Sequence, residues 1–374
     1  MSQDVYQKLA RHLDKLPGGF PPTASGVELR ILKRLFTPEQ ASLATKLTLI
    51  PERVGVIARR AGLPVEECAR RLNEMSAQGL VFSYEQRGHE HYMAAQYVIG
   101  IWEYHVNDLD PELIADMREY IPHLFDLKAW KEAPQLRTIP VGRSLAAEHE
   151  VMAYEQAEEI IKRQKRILVA PCICRREHKM VGEGCDKPEE TCLVFGAGVQ
   201  YYQRNKLGRV ITQEEALEIL KKADKAGLVL QPSNAEKVIN ICCCCGCCCQ
   251  VLKSLKRHPR PAEIVTTSFV VGLDQEACTG CGVCVERCQM QALSQPGKKE
   301  KAVLEAGRCI GCGLCVTTCP GKALKLKRKP SQRPLPKNVV ENYLRLGKVR
   351  GKLKSHDLAW MQLKSKMDRL LAKS

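Results

Sequence analysis

The sequence predicts an α+β protein of several domains, and three observations carry that expectation. Apolar residues recur at helical spacing through the first third and again near the end. Short apolar runs bounded by Gly and Pro mark strands in the middle. One cysteine pattern occurs twice in the last third, the copies 31 residues apart. With 374 residues, 44% of them apolar, the chain can bury two or three cores. Composition shifts divide it into residues 1–100, a helical connector at 101–145, a cysteine-rich stretch at 146–262, the repeated pattern at 263–328 and a basic tail at 329–374.

The first segment opens with helices. GVELRILKRLF at 26–36 sets Val27, Leu29, Ile31, Leu32, Leu35 and Phe36 at helical steps. Thr37 and Pro38 then supply an N-cap and a first-turn proline for PEQASLATKL. PERVGVIARRA follows, broken by Gly62 and Pro64, and VEECARRLNEMSAQ places Cys68, Leu72 and Met75 on one face before Gly79 ends it. LVFSYEQ, a tight Arg87-Gly88 turn and EHYMAA read as a two-stranded hairpin. Helix, turn, helix and hairpin in this order resemble the winged-helix domains of transcription regulators. The helix that would enter the major groove carries Glu66, Glu67 and Glu74 against Arg70 and Arg71. Since cationic contacts to phosphate dominate nucleic-acid affinity, a docking or structural role is expected and a DNA partner is not. Cys68 reads as a small packing residue.

In the connector, Asp110-Pro111 opens a helix interrupted at Pro122, with Trp102 and Trp130 as core or interface anchors. Residues 146–165 read as a charged helix, and the strand at 167–170 delivers Cys172 and Cys174, with Cys185 and Cys192 close behind. Thr212 and Glu215 form a capping box for QEEALEILKKADKA, which Gly227 closes before the strand LVLQ. INICCCCGCCCQ then puts seven cysteines in eight positions, too many for packing alone. EEALEILKKADKAGLVLQPSN followed by ICCCCGCCC resembles a ferredoxin-like iron-sulfur family of anaerobic bacteria. In that family the second position of the run is asparagine, so Cys243 is the departure and is not expected to be a ligand. The resemblance implies that Cys172, Cys174, Cys185, Cys192, Cys242, Cys244, Cys245, Cys247 and Cys248 bind metal, as one or two further iron-sulfur clusters or, alternatively, zinc. Spacing does not say which of them share a site. Cys244-Cys245-Gly246 also resembles half of the CCG motif of heterodisulfide-reductase subunits, but the C-x2-C it needs downstream, Cys278 and Cys281, belongs to the repeated pattern.

That pattern is CTGCGVCVERC, with Cys278, Cys281, Cys284 and Cys288, and CIGCGLCVTTCP, with Cys309, Cys312, Cys315 and Cys319. The C-x2-C-x2-C-x3-C run holds 4Fe-4S clusters, three thiolates on one cube and the fourth on the other. Crossed ligation assigns Cys278, Cys281, Cys284 and Cys319 to one cluster and Cys309, Cys312, Cys315 and Cys288 to the second. Residues 265–327 resemble the bacterial two-cluster ferredoxins. One departure stands out: Pro320 follows the second copy, whereas Gln289 follows the first.

Twenty cysteines in a long chain without an apolar leader or an 18-residue apolar run argue for reduced thiols committed to metal, and so for a cytoplasmic protein of anaerobic metabolism, with peripheral contact at the inner membrane face as an alternative. Of the net charge of +16, most lies after Pro320, where 16 Lys and Arg meet 3 Asp and Glu. KLKRKPSQRPLPKN is expected to be an extended linker, and 356–373 an amphipathic helix with Trp360, Leu363, Met367 and Leu370 on one stripe. A basic tail of this kind suits an acidic docking surface on a partner oxidoreductase or flavoprotein. No Ser-His-Asp arrangement, carboxylate pair or phosphate loop stands out. The expected function is therefore single-electron transfer without catalysis of its own. A redox-sensing regulator with the winged helix as output, and a thiol/disulfide reductase subunit with a catalytic cluster at the cysteine run, are the alternatives.

Overall fold

The computed structural model describes residues 4–145, 152, 155–330 and 333–372, and the chain divides into two compact units. The unit boundaries fall elsewhere than the composition shifts: 100/101 lies inside one unit and 262/263 inside the other. Helices and sheets are mixed in the α+β manner. Among the described residues no helix is long and apolar enough to cross a membrane.

One unit comprises Met1–Asp126, Gln200–Leu207 and Tyr343–Ser374. It contains α1 (Val5–Asp14), α2 (Val27–Leu35), α3 (Pro38–Ala44), α4 (Val54–Ala61), α5 (Val65–Ala77), the hairpin of β1 (Val81–Gln86) and β2 (His89–Ala94), α6 (Trp102–Tyr104) and α7 (Pro111–Leu124). Thr37 caps α3 through a full capping box with Gln40. Leu72 and Met75 on α5 are buried with Ile57 of α4, and Cys68 beside them has its thiol pushed up to about 11 by burial. Helix α1 escapes the sequence reading because its apolar face is short; Asp4 caps it by accepting from the Tyr6 amide. Helix α7 runs through Pro122 rather than breaking there. Proline's missing N–H and ring clash are felt one turn back, and the helix ends two residues later at Leu124.

The tail differs more. Two helices replace the expected one, α15 (Val339–Val349), which enters this unit at Tyr343, and α16 (Ser355–Leu371). Helix α16 rests on α4 by its polar side: the Ser365 hydroxyl donates to Glu52 at 2.7 Å, and Arg60 bridges Glu52 and Asp368. Its apolar stripe faces outward, with Trp360 64% and Leu370 60% exposed.

The other unit comprises Leu127–Val199 and Gly208–Asn342. It holds α8 (Leu127–Glu132), α9 (Ala157–Lys162), β3 (Ile167–Pro171), α10 (Ile173–Met180), β4 (Glu190–Phe195), the start of α11 (Ala197–Arg204), β5 (Arg209–Ile211), α12 (Gln213–Lys225), β6 (Val229–Pro232), β7 (Asn240–Cys244) and α13 (Gln250–Lys256). Of the helix expected at 146–165, the described part is α9; residues 146–151, 153 and 154 lie outside the described residues. The strands form one antiparallel sheet in the order β5-β3-β4-β7-β6. Its interior strand β3 reads ILVAP and is buried along most of its length, as a strand covered on both faces must be. Beyond α13 come β8 (Phe269–Leu273), α14 (Val283–Arg287), β9 (Leu293–Ser294), β10 (Val303–Leu304) and β11 (Leu324–Arg328). Strand β11 pairs with β8 over five residues, so the KLKR that opens the expected linker is sheet, with Leu326 buried against Val271 and Leu324.

Candidate metal centres

Cys284, Cys309 and Cys315 share one buried cluster with Phe269, Val271, Leu293, Leu324 and Leu326 of the two short sheets, and Cys278, Cys288 and Cys319 pack against it. Gly280 and Gly311 take positive φ of 68° and 66°, and a Cβ on either would run into a carbonyl oxygen, of Lys299 and of Phe269 respectively. These close approaches let the loops fold back, with Cys284, Cys309 and Cys315 buried and Cys281 exposed. Backbone amides address the sulfurs: Ala302 N–H donates to Cys278 Sγ at 3.4 Å and Ala292 N–H to Cys288 Sγ at 3.2 Å. Charge coupling shows who faces whom. Burial raises the Cys284 thiol, with Cys281, Cys278 and Cys319 adding to it. Burial likewise raises Cys309, and pushes Cys312 up to about 12, with Cys288 acting on both. Cys315, raised by burial, feels Cys312, Cys309, Cys288 and Cys284. Cys288 of the first copy thus acts on the first three cysteines of the second, and Cys319 of the second acts on Cys284 of the first.

The middle cysteines behave differently, because they touch. Cys185, from the loop after α10, meets Cys245, Cys247 and Cys248, from the turn after β7, with all four sulfurs within 4.8 Å of one another. Three of the separations are 4.0 Å (Cys185–Cys245), 3.7 Å (Cys185–Cys248) and 3.8 Å (Cys247–Cys248). Burial lifts Cys247 to about 11. It opposes ionisation of Cys245 too, but the Cys248 amide, the Cys247 thiol and the Arg175 guanidinium outweigh it and bring Cys245 to about 7.

A second group gathers six thiols on the sheet and its neighbouring helix starts. Cys192 on β4 is the register partner of Cys242 on β7, and alternation puts Cys242 and Cys244 on the same face. Cys172 caps α10 with Cys174 in its first turn, and Cys249 caps α13. Hydrogen bonds run through the group: Cys174 is raised by bonding to Cys172 and Cys249, and Cys244 by bonding to Cys242 and Cys249. Their partners shift the other way. Cys249 is lowered by Cys174 and Cys244, and Cys242 by Cys192 and Cys244. Asn240 Nδ2 donates to Cys242 Sγ at 3.5 Å and Gln231 Nε2 to Cys249 Sγ at 3.9 Å. Cys243 faces away from this group, its thiol pushed up to about 12 by burial.

Arg175 stands between the two groups. Buried to 3% exposure, it donates through both terminal nitrogens to the Cys243 carbonyl at 3.1 Å and to the Thr191 hydroxyl, and lies 3.7 Å from Cys245 Sγ. Nothing in the sequence singled out this residue. A buried guanidinium beside so many thiols offsets part of the charge they acquire on ionisation.

The sheet and the repeated pattern meet within the same unit. Asp224, at the end of α12, accepts from Arg287 at 2.9 Å, from Arg143 at 2.7 Å and from the Thr317 hydroxyl at 3.2 Å, so side chains next to Cys288 and between Cys315 and Cys319 are tied to the sheet side. Gln289 carries the second tie. Its Oε1 accepts the Gly246 amide at 2.7 Å, and a Cβ on Gly246 would run into the Gln289 carbonyl oxygen. The residue that replaces proline in the first copy is therefore the one that grips the middle of the cysteine run.

The structure distributes the nine sequence-expected thiols as Cys185, Cys245, Cys247 and Cys248 in one group and Cys172, Cys174, Cys192, Cys242 and Cys244 in the other. Cys249, which the sequence reading passed over, joins the second. Its signal was available in its place as the residue before the helix QVLKSLK, where a cap position turns a side chain back onto the turn. No curated protein and no solved structure matches the chain. Residues 277–323 match the family of 4Fe-4S dicluster domains, which identifies the region of the repeated pattern as ferredoxin-like and iron-sulfur binding.

Proposed function

We propose that the protein is an electron carrier that passes single electrons between a donor and a partner oxidoreductase or flavoprotein. The observation that carries this reading is the dicluster match at 277–323 lying in the same compact unit as ten further thiols gathered into two groups. One 4Fe-4S cluster is assigned to Cys278, Cys281, Cys284 and Cys319, and the other to Cys309, Cys312, Cys315 and Cys288. When bound, such clusters supply reversible one-electron chemistry. The chain's own residues set its conditions: Ala292 and Ala302 amides hydrogen-bond sulfur, burial keeps water from Cys309 and Cys315, and Arg287 and Gln289 hold the pattern against the sheet. The six-thiol group, with its Asn240 and Gln231 donors, is assigned a further iron-sulfur centre.

The helical N-terminal region is assigned to docking rather than to DNA. Arg70 is paired with Glu67 and Glu74, and Arg71 with Glu67, within α5, which leaves little cationic reach for phosphate. The outward stripe of α16 and the basic residues around it suit an acidic partner surface.

Anaerobic redox titration of the full-length protein, followed by electron paramagnetic resonance, tests the proposal. Reversible one-electron reduction of two interacting 4Fe-4S centres, with further signal from the middle region, is expected. Bound iron that cannot be reversibly reduced would end the electron-carrier reading.

A further inference from the structure

We propose that Cys185, Cys245, Cys247 and Cys248 bind a single thiophilic divalent ion, zinc or iron, in a closed tetrahedral site, and not a cluster. The distances decide it. A metal–sulfur bond of about 2.3 Å in tetrahedral geometry sets the sulfurs about 3.8 Å apart along each edge. The observed separations are 3.7, 3.8 and 4.0 Å, and all six edges are within 4.8 Å. A cube of iron and sulfide stands its four thiolates much further apart, about 6 Å, because the inorganic core lies between them.

The ferredoxin-like region of the same unit is the internal reference. Its eight thiols influence one another as charges, and no group of them draws together this tightly; among the described residues these four side chains are the one set of possible ligands that does. Local sequence agrees with a small site. Three of the ligands come from the four residues Cys-Gly-Cys-Cys, a turn too short to wrap a cube but suited to one ion, and the Cys248 amide hydrogen-bonds Cys245 within it.

Four sulfurs with no oxygen or nitrogen select zinc or iron over magnesium or calcium. They also leave no open position, so the ion is not a Lewis-acid catalyst. Four thiolates around a divalent ion carry two excess negative charges, and the Arg175 guanidinium, 3.7 Å from Cys245 Sγ, offsets part of them. Gly246, between two of the ligands, is gripped by Gln289, so filling the site orders the surface on which the ferredoxin-like region rests. The assignment stands whether or not the protein carries electrons.

Native mass spectrometry of the full-length protein isolated without oxygen is the first measurement. A mass exceeding whole clusters by one zinc or one iron is expected, and elemental analysis of the same sample says which. A mass made up by whole clusters alone, or one short of hydrogens as disulfides between these cysteines require, overturns the proposal. The second is the Cys185→Ser, Cys247→Ser double variant, which should lose one metal ion and no acid-labile sulfide. Loss of iron and sulfide together, about four of each, assigns a cluster instead, and no loss of metal removes the site. The wild-type mass measurement stands even if this variant does not fold.

Discussion

The two thiol-rich regions of the second unit solve opposite problems. In the ferredoxin-like region the loops turn at glycines that let backbone pass close by, and Cys284, Cys309, Cys312 and Cys315 feel neighbouring thiols through charge. In the sheet region they touch and hydrogen-bond one another, and their ionisation alternates, with Cys242 and Cys249 lowered and Cys174 and Cys244 raised. Spacing along the chain follows the same division. Cysteines three apart on a turning loop surround a cluster, whereas cysteines packed side by side on a strand and its following turn must sort themselves by strand alternation and by which loop comes to meet them.

The largest effect that can break this comparison lies in the ferredoxin-like region. Cys288→Ser, a change in the first copy, should cost about four iron atoms and give the same altered resonance spectrum as Cys315→Ser in the second. A spectrum matching Cys284→Ser instead would show that ligation is not crossed.

Next comes Arg175→Met, which leaves the thiol groups without their shared buried cation. Removing one partner of a buried charge set costs about 3 kcal/mol or more. Thermal unfolding of the metal-loaded protein should register that loss while the resonance of the ferredoxin-like clusters stays unchanged; an unaltered melting temperature would mean that Arg175 offsets no thiolate charge.

Gln289→Pro sharpens the contrast by giving the first copy the proline of the second. It deprives the Gly246 amide of its acceptor and should destabilise by about 1–2 kcal/mol, with both ferredoxin-like clusters retained. Denaturant unfolding and iron content measured together check this, and loss of iron from the repeated pattern would place the role of Gln289 there instead.

The smallest effect is one of pH. In metal-free protein Cys245 titrates near 7, below the ordinary thiol value of 9.0, so ionisation favours the folded state. That contribution is complete above pH 9, declines as pH falls through 7, and is absent in acid. Alkylation of Cys245 should therefore rise between pH 6 and 8 while Cys68, held up at about 11, stays inert. Equal alkylation profiles for the two would remove the distinction.

Much was legible without coordinates. The helices at 26–36, 38–47, 51–61 and 65–78, the hairpin after Gly79, the strand before Cys172 and the eight cysteines of the repeat all follow from local periodicity, capping and spacing. Helix α15 and the outward stripe of α16 were not. Asn342 on α15 is buried because its side chain donates to the Pro134 carbonyl at 2.8 Å and meets Asn234, a partnership no local pattern announces. The stripe of Trp360, Leu363, Met367 and Leu370 is left outward because Glu52 and Arg60 hold the opposite, polar side.

What the sequence alone determined, then, is the kind of ligand and its number: the repeat makes a two-cluster pattern because the spacing is short-range geometry that any fold must respect. Which of the middle thiols share a site was decided only by the tertiary structure. Cys185 lies sixty residues from Cys245 in the chain and Cys192 fifty from Cys242, and it is the pairing of strands in the sheet, whose apolar residues such as Leu168, Leu193 and Ile241 are buried, that brings Cys192 to its register partner on β7.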